Sequence, residues 1–138
     1  MLDLNTAPGA VLLLRLSLGI LFLAHGMLKV RVFTVPGTVA YFRSLGLPAW
    51  LAYVTIVMEL GGGTRLILGI YARYVALVLT PLILGTIVTP HGKNGWVFSN
   101  KDGGWEFSAF WAVTLLVLFL SGDGPWALLP SPTLGTFL

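Results

Sequence analysis

The chain contains no cysteine. Disulfides, thiol relays, cysteine nucleophiles and thiolate ligation of iron–sulfur clusters are therefore excluded from it. Any sulfur chemistry must be supplied by a partner or a cofactor. Charge is scarce as well. Only 9 % of the 138 residues are charged and 57 % are hydrophobic, whereas an ordinary soluble domain carries about 25 % charged residues. Mean hydropathy is +0.91. These values describe an integral membrane protein. The net charge of +3 comes from eight dispersed basic residues, and no basic run interleaves with aromatics, which argues against nucleic acid. Topology, lipid headgroups and buried pairing are the expected uses of those charges. The amino terminus MLDLNTAPGA lacks a basic segment, and no A-x-A site follows the first apolar run. The first helix is therefore expected to be retained and not cleaved as a signal peptide. Phosphate-binding loops, hydrolase elbows and catalytic triads are absent.

What is present is organised around Leu12–Lys29, LLLRLSLGILFLAHGMLK. The run is long enough to cross a bilayer, yet it carries Arg15, His25 and Lys29. On a helix turning about 100° per residue, positions 15, 18, 22, 25 and 29 fall on one seam roughly 80° wide. Ionisable groups inside a membrane are costly and usually face a bundle interior or a cavity. The seam should therefore face other helices, which supply counter-charges.

A span takes about 20 mostly apolar residues. The chain accordingly predicts one all-α domain over 1–138, an integral membrane four-helix bundle with antiparallel up-down connectivity. The predicted helices are about 10–30, 49–70, 72–90 and 105–121. Pro36 and Gly37 punctuate the first connection. Thr38–Leu45 is expected to be either an irregular loop or a short interfacial helix with Val39, Phe42 and Leu45 toward lipid. Pro48 suits a helix start. Gly61, Gly62 and Gly63 suit close helix packing. Pro81 should kink the third helix, with Thr80 or Thr86 helping to satisfy freed carbonyls. The tail after Gly122 is expected along the membrane interface. Lys29, Arg31, Arg43, Lys93 and Lys101 flank the first and third connections. The positive-inside rule places these connections in the cytoplasm and both termini outside. His25-Gly26 and His91-Gly92, each at the end of a helix, form a faint internal echo.

His25, Lys29, Glu59, His91 and Glu106 should gather in the half of the bundle near the first and third connections. By helical rise, His25 and Glu59 differ in depth by only about 5 Å. Glu59 shares its face with Ala52, Thr55, Gly62, Gly63 and Leu66. A carboxylate there must be paired, hydrogen-bonded or protonated. It serves either as a structural bridge to Lys29 or His25, or in binding and proton transfer. His25 is either a satisfied interior histidine or a ligand contact, and Lys29 either snorkels or contacts the same ligand. His91 is an interfacial loop residue or part of the site. Glu106 stands at a helix start, where the dipole alone favours a carboxylate. Arg15, at the far end of the seam, suits structural pairing or snorkelling. Metal ligation is disfavoured because no Glu-x-x-His spacing occurs. Haem is disfavoured because both histidines sit at helix ends. A quinone needs an apolar slot with a few donors or proton carriers, and His25, Lys29 and Glu59 fit that best.

The same residues carry a family resemblance. RLSLGILFLAHGMLK, SLGLPAWLAY, MELGGGTRLILGIYAR and a late H-G with GGWEF follow one another over about residues 12–122. In this order and spacing the chain resembles the DoxX family. His25, Gly26, Lys29, Glu59, Gly62, Gly63, Arg73, His91 and Glu106 stand at matching positions, while Thr64-Arg65 and the Pro81 region depart from the common pattern. The resemblance implies a four-helix membrane protein with a redox association. Some relatives are the membrane subunit of a thiosulfate:quinone oxidoreductase; others resemble membrane organisers of superoxide-detoxifying and sulfurtransferase enzymes. The leading expectation is a quinone-binding subunit in the cell membrane. In it Glu59 and His25 are the catalytic candidates, and Lys29, His91, Glu106, Gly62 and Gly63 are the ligand-binding ones. The alternative is a non-catalytic anchor whose connections dock soluble redox or sulfurtransferase partners. A third reading, transport, requires a homo-oligomer.

Overall fold

The computed structural model describes residues 5–136, and over them the chain is helical. Helix α1 is Ala7–Met27, α2 Val35–Ser44, α3 Ala49–Leu68, α4 Ala72–Thr86 and α5 Glu106–Ser121. A π-helical turn at Leu28–Val32 prolongs α1. After α4 the chain kinks at Thr89, whose backbone is extended (φ -147°, ψ 120°), and Ile87–His91 leads into a 3-10 turn, Gly92–Asn94. No strand occurs among the described residues. Three helical stretches are long and apolar enough to cross a membrane: Ala7–Val32, Ala49–Leu68 and Ala72–Asn94. The 16 residues of α5 are apolar but rise only about 24 Å, less than the roughly 30 Å hydrocarbon core.

Local sequence sets these boundaries. Pro8 lies in the first turn of α1, where no N–H is needed. Pro48 precedes α3. Gly69 ends α3 in the left-handed region at φ 67°. A side chain at 69 would also collide, because a Cβ there would lie 2.5 Å from the Arg15 guanidinium and 2.6 Å from Ala127 Cα. Pro81 sits inside α4, and the Thr80 hydroxyl donates to the Ala76 carbonyl at 2.9 Å.

In lipid, helices associate mainly through close packing and internal hydrogen bonds. Glycines allow that approach between α1 and α3. A Cβ on Gly63 would lie 2.8 Å from the Gly19 carbonyl oxygen and 2.9 Å from the Leu23 nitrogen. Further along, Gly26 meets Leu60 and Glu59, so α1 and α3 run antiparallel. α4 and α5 do so too: Thr86 meets Ser108 at one end, and Arg73 meets Asp123 at the other. Phe22, Leu66, Leu79, Leu115 and Leu118 fill the core between the helices. Leu13, Ile20, Val57, Val78 and Leu120 are exposed on the outside, as a lipid-facing surface requires.

One part departs from expectation. The first connection is helical, but α2 does not turn Val39, Phe42 and Leu45 toward lipid. Val39 is buried, and Phe42 and Leu45 line an internal cavity. The Thr38 hydroxyl holds α2 in this orientation by donating to the Lys29 carbonyl at 3.0 Å. The tail folds back over the α3–α4 turn, where the amides of Leu128 and Leu129 donate to Leu68 and Gly69, and Tyr71 N–H donates to Leu129. Arg15, 1 % exposed, donates to the Asp123 carbonyl at 2.7 Å. The Asp123 carboxylate accepts from the amides of Arg73 and Ser131 and from the Ser131 hydroxyl. The tail thus supplies the buried arginine with carbonyl acceptors, Asp123 and, at 3.5 Å, Trp126.

Candidate functional site

The other end of the helices holds a cavity of about 970 Å³ beneath α2. Each of the buried polar groups reaches it for a local reason. Lys29 lies in the π-helical turn that ends α1, four residues beyond His25 on the inward seam. Its Nζ donates to Glu59 Oε1 at 2.8 Å. Glu59 is 5 % exposed and comes from the middle of α3. Its second oxygen, Oε2, is buried and has no hydrogen-bond partner among the described residues. His25 lines the same cavity, with Nδ1 2.9 Å from the Leu21 carbonyl one turn earlier. Its depth matches that of Glu59, but the partner of the carboxylate is Lys29 and not His25.

His91 closes the α4 extension and also lines the cavity. Its Nδ1 lies 3.0 Å from the Gly103 carbonyl. The loop that seats it is folded on itself. Asn94 reaches the carbonyls of Asp102 and Gly103 at 3.0 and 2.9 Å. Trp105 and Glu106 donate amides to Gly95 and Trp96, and Trp96 meets Trp105 edge-on. The Glu106 carboxylate accepts from the Phe98 amide at 2.8 Å. It lies outside the cavity lining and borders a separate shallow cleft with Trp96 and Phe110. Gly62 and Gly63 also stand outside the lining, at the contacts of α3 with Leu79 and with α1.

Sequence reasoning missed the wall contributed by α5. Trp111 is 5 % exposed and lines the cavity, and its indole Nε1 is buried without a partner among the described residues. Phe22, His25 and Phe107 surround it at centroid distances of 4.6, 4.9 and 5.5 Å. One signal was available: a tryptophan in mid-helix is away from the interfacial belt where that residue concentrates. Thr86 and Ser108 hydroxyls, 2.9 Å apart, join α4 to α5 at the wall. Phe33, Tyr41 and Phe42 complete an aromatic roof. Chemically the arrangement offers an apolar, ring-lined space with one ion pair, two imidazoles and an indole ring.

Fold and site together define a small helical membrane protein with a largely apolar cavity, carrying a few polar groups, at one end of its helices. The chain belongs to the DoxX family, whose model matches residues 10–92. It is 34 % identical over 119 residues to the Bacillus subtilis (strain 168) protein named "Putative oxidoreductase CatD", covering 86 % of this chain and 84 % of that one. It is 30 % identical over 124 residues to the Escherichia coli (strain K12) inner membrane protein YphA, covering 85 % and 86 %. Inner membrane protein YqjF of the same organism is 27 % identical over 126 residues, covering 86 % and 88 %. No solved structure matches the chain significantly.

Proposed function

We propose that this protein is a redox-associated membrane subunit that binds a quinone-like ring compound in the cavity beneath α2. The observation that supports this most is a 970 Å³ aromatic-walled space whose lining includes His25, His91 and the Lys29–Glu59 ion pair. Ligand sites are mostly apolar, with a few placed polar groups. Lys29 and His25 would hold the ligand oxygens and Glu59 would carry a proton. Gly62, Gly63 and Glu106 would serve the site indirectly, by packing α3 and by folding the loop that seats His91. The oxidoreductase name of the Bacillus subtilis relative agrees with a redox role.

In this reading α5 is the fourth member of an up-down transmembrane bundle, and the cavity opens near the cytoplasmic face, where Arg31, Arg43, Lys93 and Lys101 lie. The test is mass spectrometry of small molecules extracted from the purified protein. A near-stoichiometric quinone or quinol, lost in Glu59→Gln or His25→Ala, is the expected result. Phospholipid alone from wild type and variants would overturn the reading and leave the anchor role for soluble partners.

A further inference from the structure

The loop between α4 and α5 turns three large apolar side chains outward. Trp96, Val97 and Phe98 are 52, 44 and 66 % exposed. Yet the loop does not project away from the helices. The Gly95 and Trp96 carbonyls accept the amides of Trp105 and Glu106, and the Phe98 amide donates to the Glu106 carboxylate at 2.8 Å. Residues 95–98 are therefore laid against the start of α5. Trp96 and Phe98 share a shallow cleft of about 640 Å³ with Phe110 and Val113. Positions 110, 113, 117 and 120 fall within about 80° of one another on a helix. Phe110, Val113, Val117 and Leu120 are all exposed. An exposed apolar stripe along a membrane helix faces lipid, so the loop rings that border the same cleft lie on the lipid-facing side as well.

Length gives a second reason. The 16 residues of α5 rise about 24 Å, short of the roughly 30 Å hydrocarbon core. An apolar segment beside the start of the helix makes up the difference, and tryptophan concentrates at that depth. Charge gives a third. Lys93 and Lys101 flank the apolar residues on the same loop and are exposed, which suits headgroup phosphates. We propose that residues 96–98 are immersed at the boundary between headgroups and acyl chains, and that a phospholipid acyl chain fills the cleft between their rings and α5. Lys93 and Lys101 then stand at the level of the phosphates, and residues 99–102 form the tip in water. This placement of the loop rests on the membrane placement of α5 given above and is independent of the ring compound. It withdraws residues 96–98 from the surfaces open to soluble partners. The Gly103 carbonyl of the same loop lies 3.0 Å from His91 Nδ1, so the bilayer also steadies the loop that seats His91 in the cavity wall.

The chain has no cysteine, so a single introduced cysteine carries a nitroxide label at one chosen depth. Full-length Val97→Cys, Lys101→Cys and Val117→Cys, all at exposed positions, are reconstituted into vesicles of phosphatidylcholine and phosphatidylglycerol. Power-saturation spectroscopy compares collisions of the label with oxygen, which concentrates among acyl chains, and with a nickel chelate, which stays in water. Oxygen should be severalfold more effective than the chelate at position 97, as at position 117, and the order should reverse at position 101. The same order at 97 and 101, whether that of lipid or that of water, would overturn the placement of the loop. A water-like label at 117 would overturn the membrane placement of α5 and the loop placement with it. The cleft is tested without a label. Phospholipid brominated in its acyl chains should quench a share of the wild-type tryptophan emission that is lost in Trp96→Phe. An unchanged quenched share would remove the acyl chain from the cleft.

Discussion

Replacing Lys29 with Met tests whether the ion pair is the counter-charge of the inward seam. Nζ and Oε1 are 2.8 Å apart, with side-chain exposures of 19 % for Lys29 and 6 % for Glu59. At an effective dielectric constant of about 20, unit charges at the 2.8 Å separation attract by about 6 kcal/mol before desolvation is counted. Desolvation cancels much of this, but removing one partner strands the other. Stranding a buried charge costs about 3–5 kcal/mol. Because Lys29 is partly exposed, about 2–4 kcal/mol is the appropriate range here. Lys29→Met should therefore lower the free energy of reversible unfolding in mixed detergent–dodecyl sulfate micelles by that amount. The double variant Lys29→Met/Glu59→Gln removes both charges and should recover at least half of the loss. A single variant within about 1 kcal/mol of wild type would refute the reasoning. So would a double variant no more stable than the single one.

Gly63→Ala should cost about 1–3 kcal/mol in the same unfolding assay by forcing α1 from α3, because its Cβ would meet backbone at 2.8 and 2.9 Å. Gly85→Ala, with nothing within 4 Å, should be neutral or slightly stabilising; equal losses at both positions would show that packing is not the cause. Arg15→Leu leaves the Asp123 carbonyl without its donor, and should release the tail. Hydrogen exchange should then quicken at the Leu128 and Leu129 amides while α3 stays protected. Because the chain has no cysteine, single cysteines at Lys101 and Trp126 report topology directly. A membrane-impermeant thiol reagent added to intact cells should label only Trp126→Cys, and labelling of Lys101→Cys alone would reverse the assigned orientation.

Helix faces were legible in the chain because they depend on local period. Residues 15, 18 and 22 were expected inward from spacing alone, and Arg15, Leu18 and Phe22 are buried. The face shared by Ala52, Thr55, Glu59, Gly62, Gly63 and Leu66 is the buried face of α3. The gathering of His25, Lys29, Glu59 and His91 at one cavity was also within reach, because antiparallel helices with short connections fix relative depth. Partner choice was not. His25 and Lys29 are both within plausible reach of Glu59, and the π-helical turn at Leu28–Val32 decides which one bonds it. Periodicity could not mark Trp111 and Ser108 as wall residues, because α5 is apolar around its whole circumference; the mid-helix position of Trp111 was the one signal.

By itself the sequence determined that this is a helical membrane protein of the DoxX family, and which faces of α1 and α3 are buried. Composition and helical period are properties of the chain, and they act wherever it folds. Only the tertiary structure decided that α2 roofs a cavity, that the tail clamps Arg15, and that α5 supplies Trp111 to the cavity wall. Each of these joins segments far apart in sequence through a few hydrogen bonds and ring contacts, and no local pattern encodes them. An amphipathic helix needs an apolar neighbour for its apolar face, but lipid and a protein cavity meet that need equally well. The Thr38 bond to the Lys29 carbonyl selects the cavity.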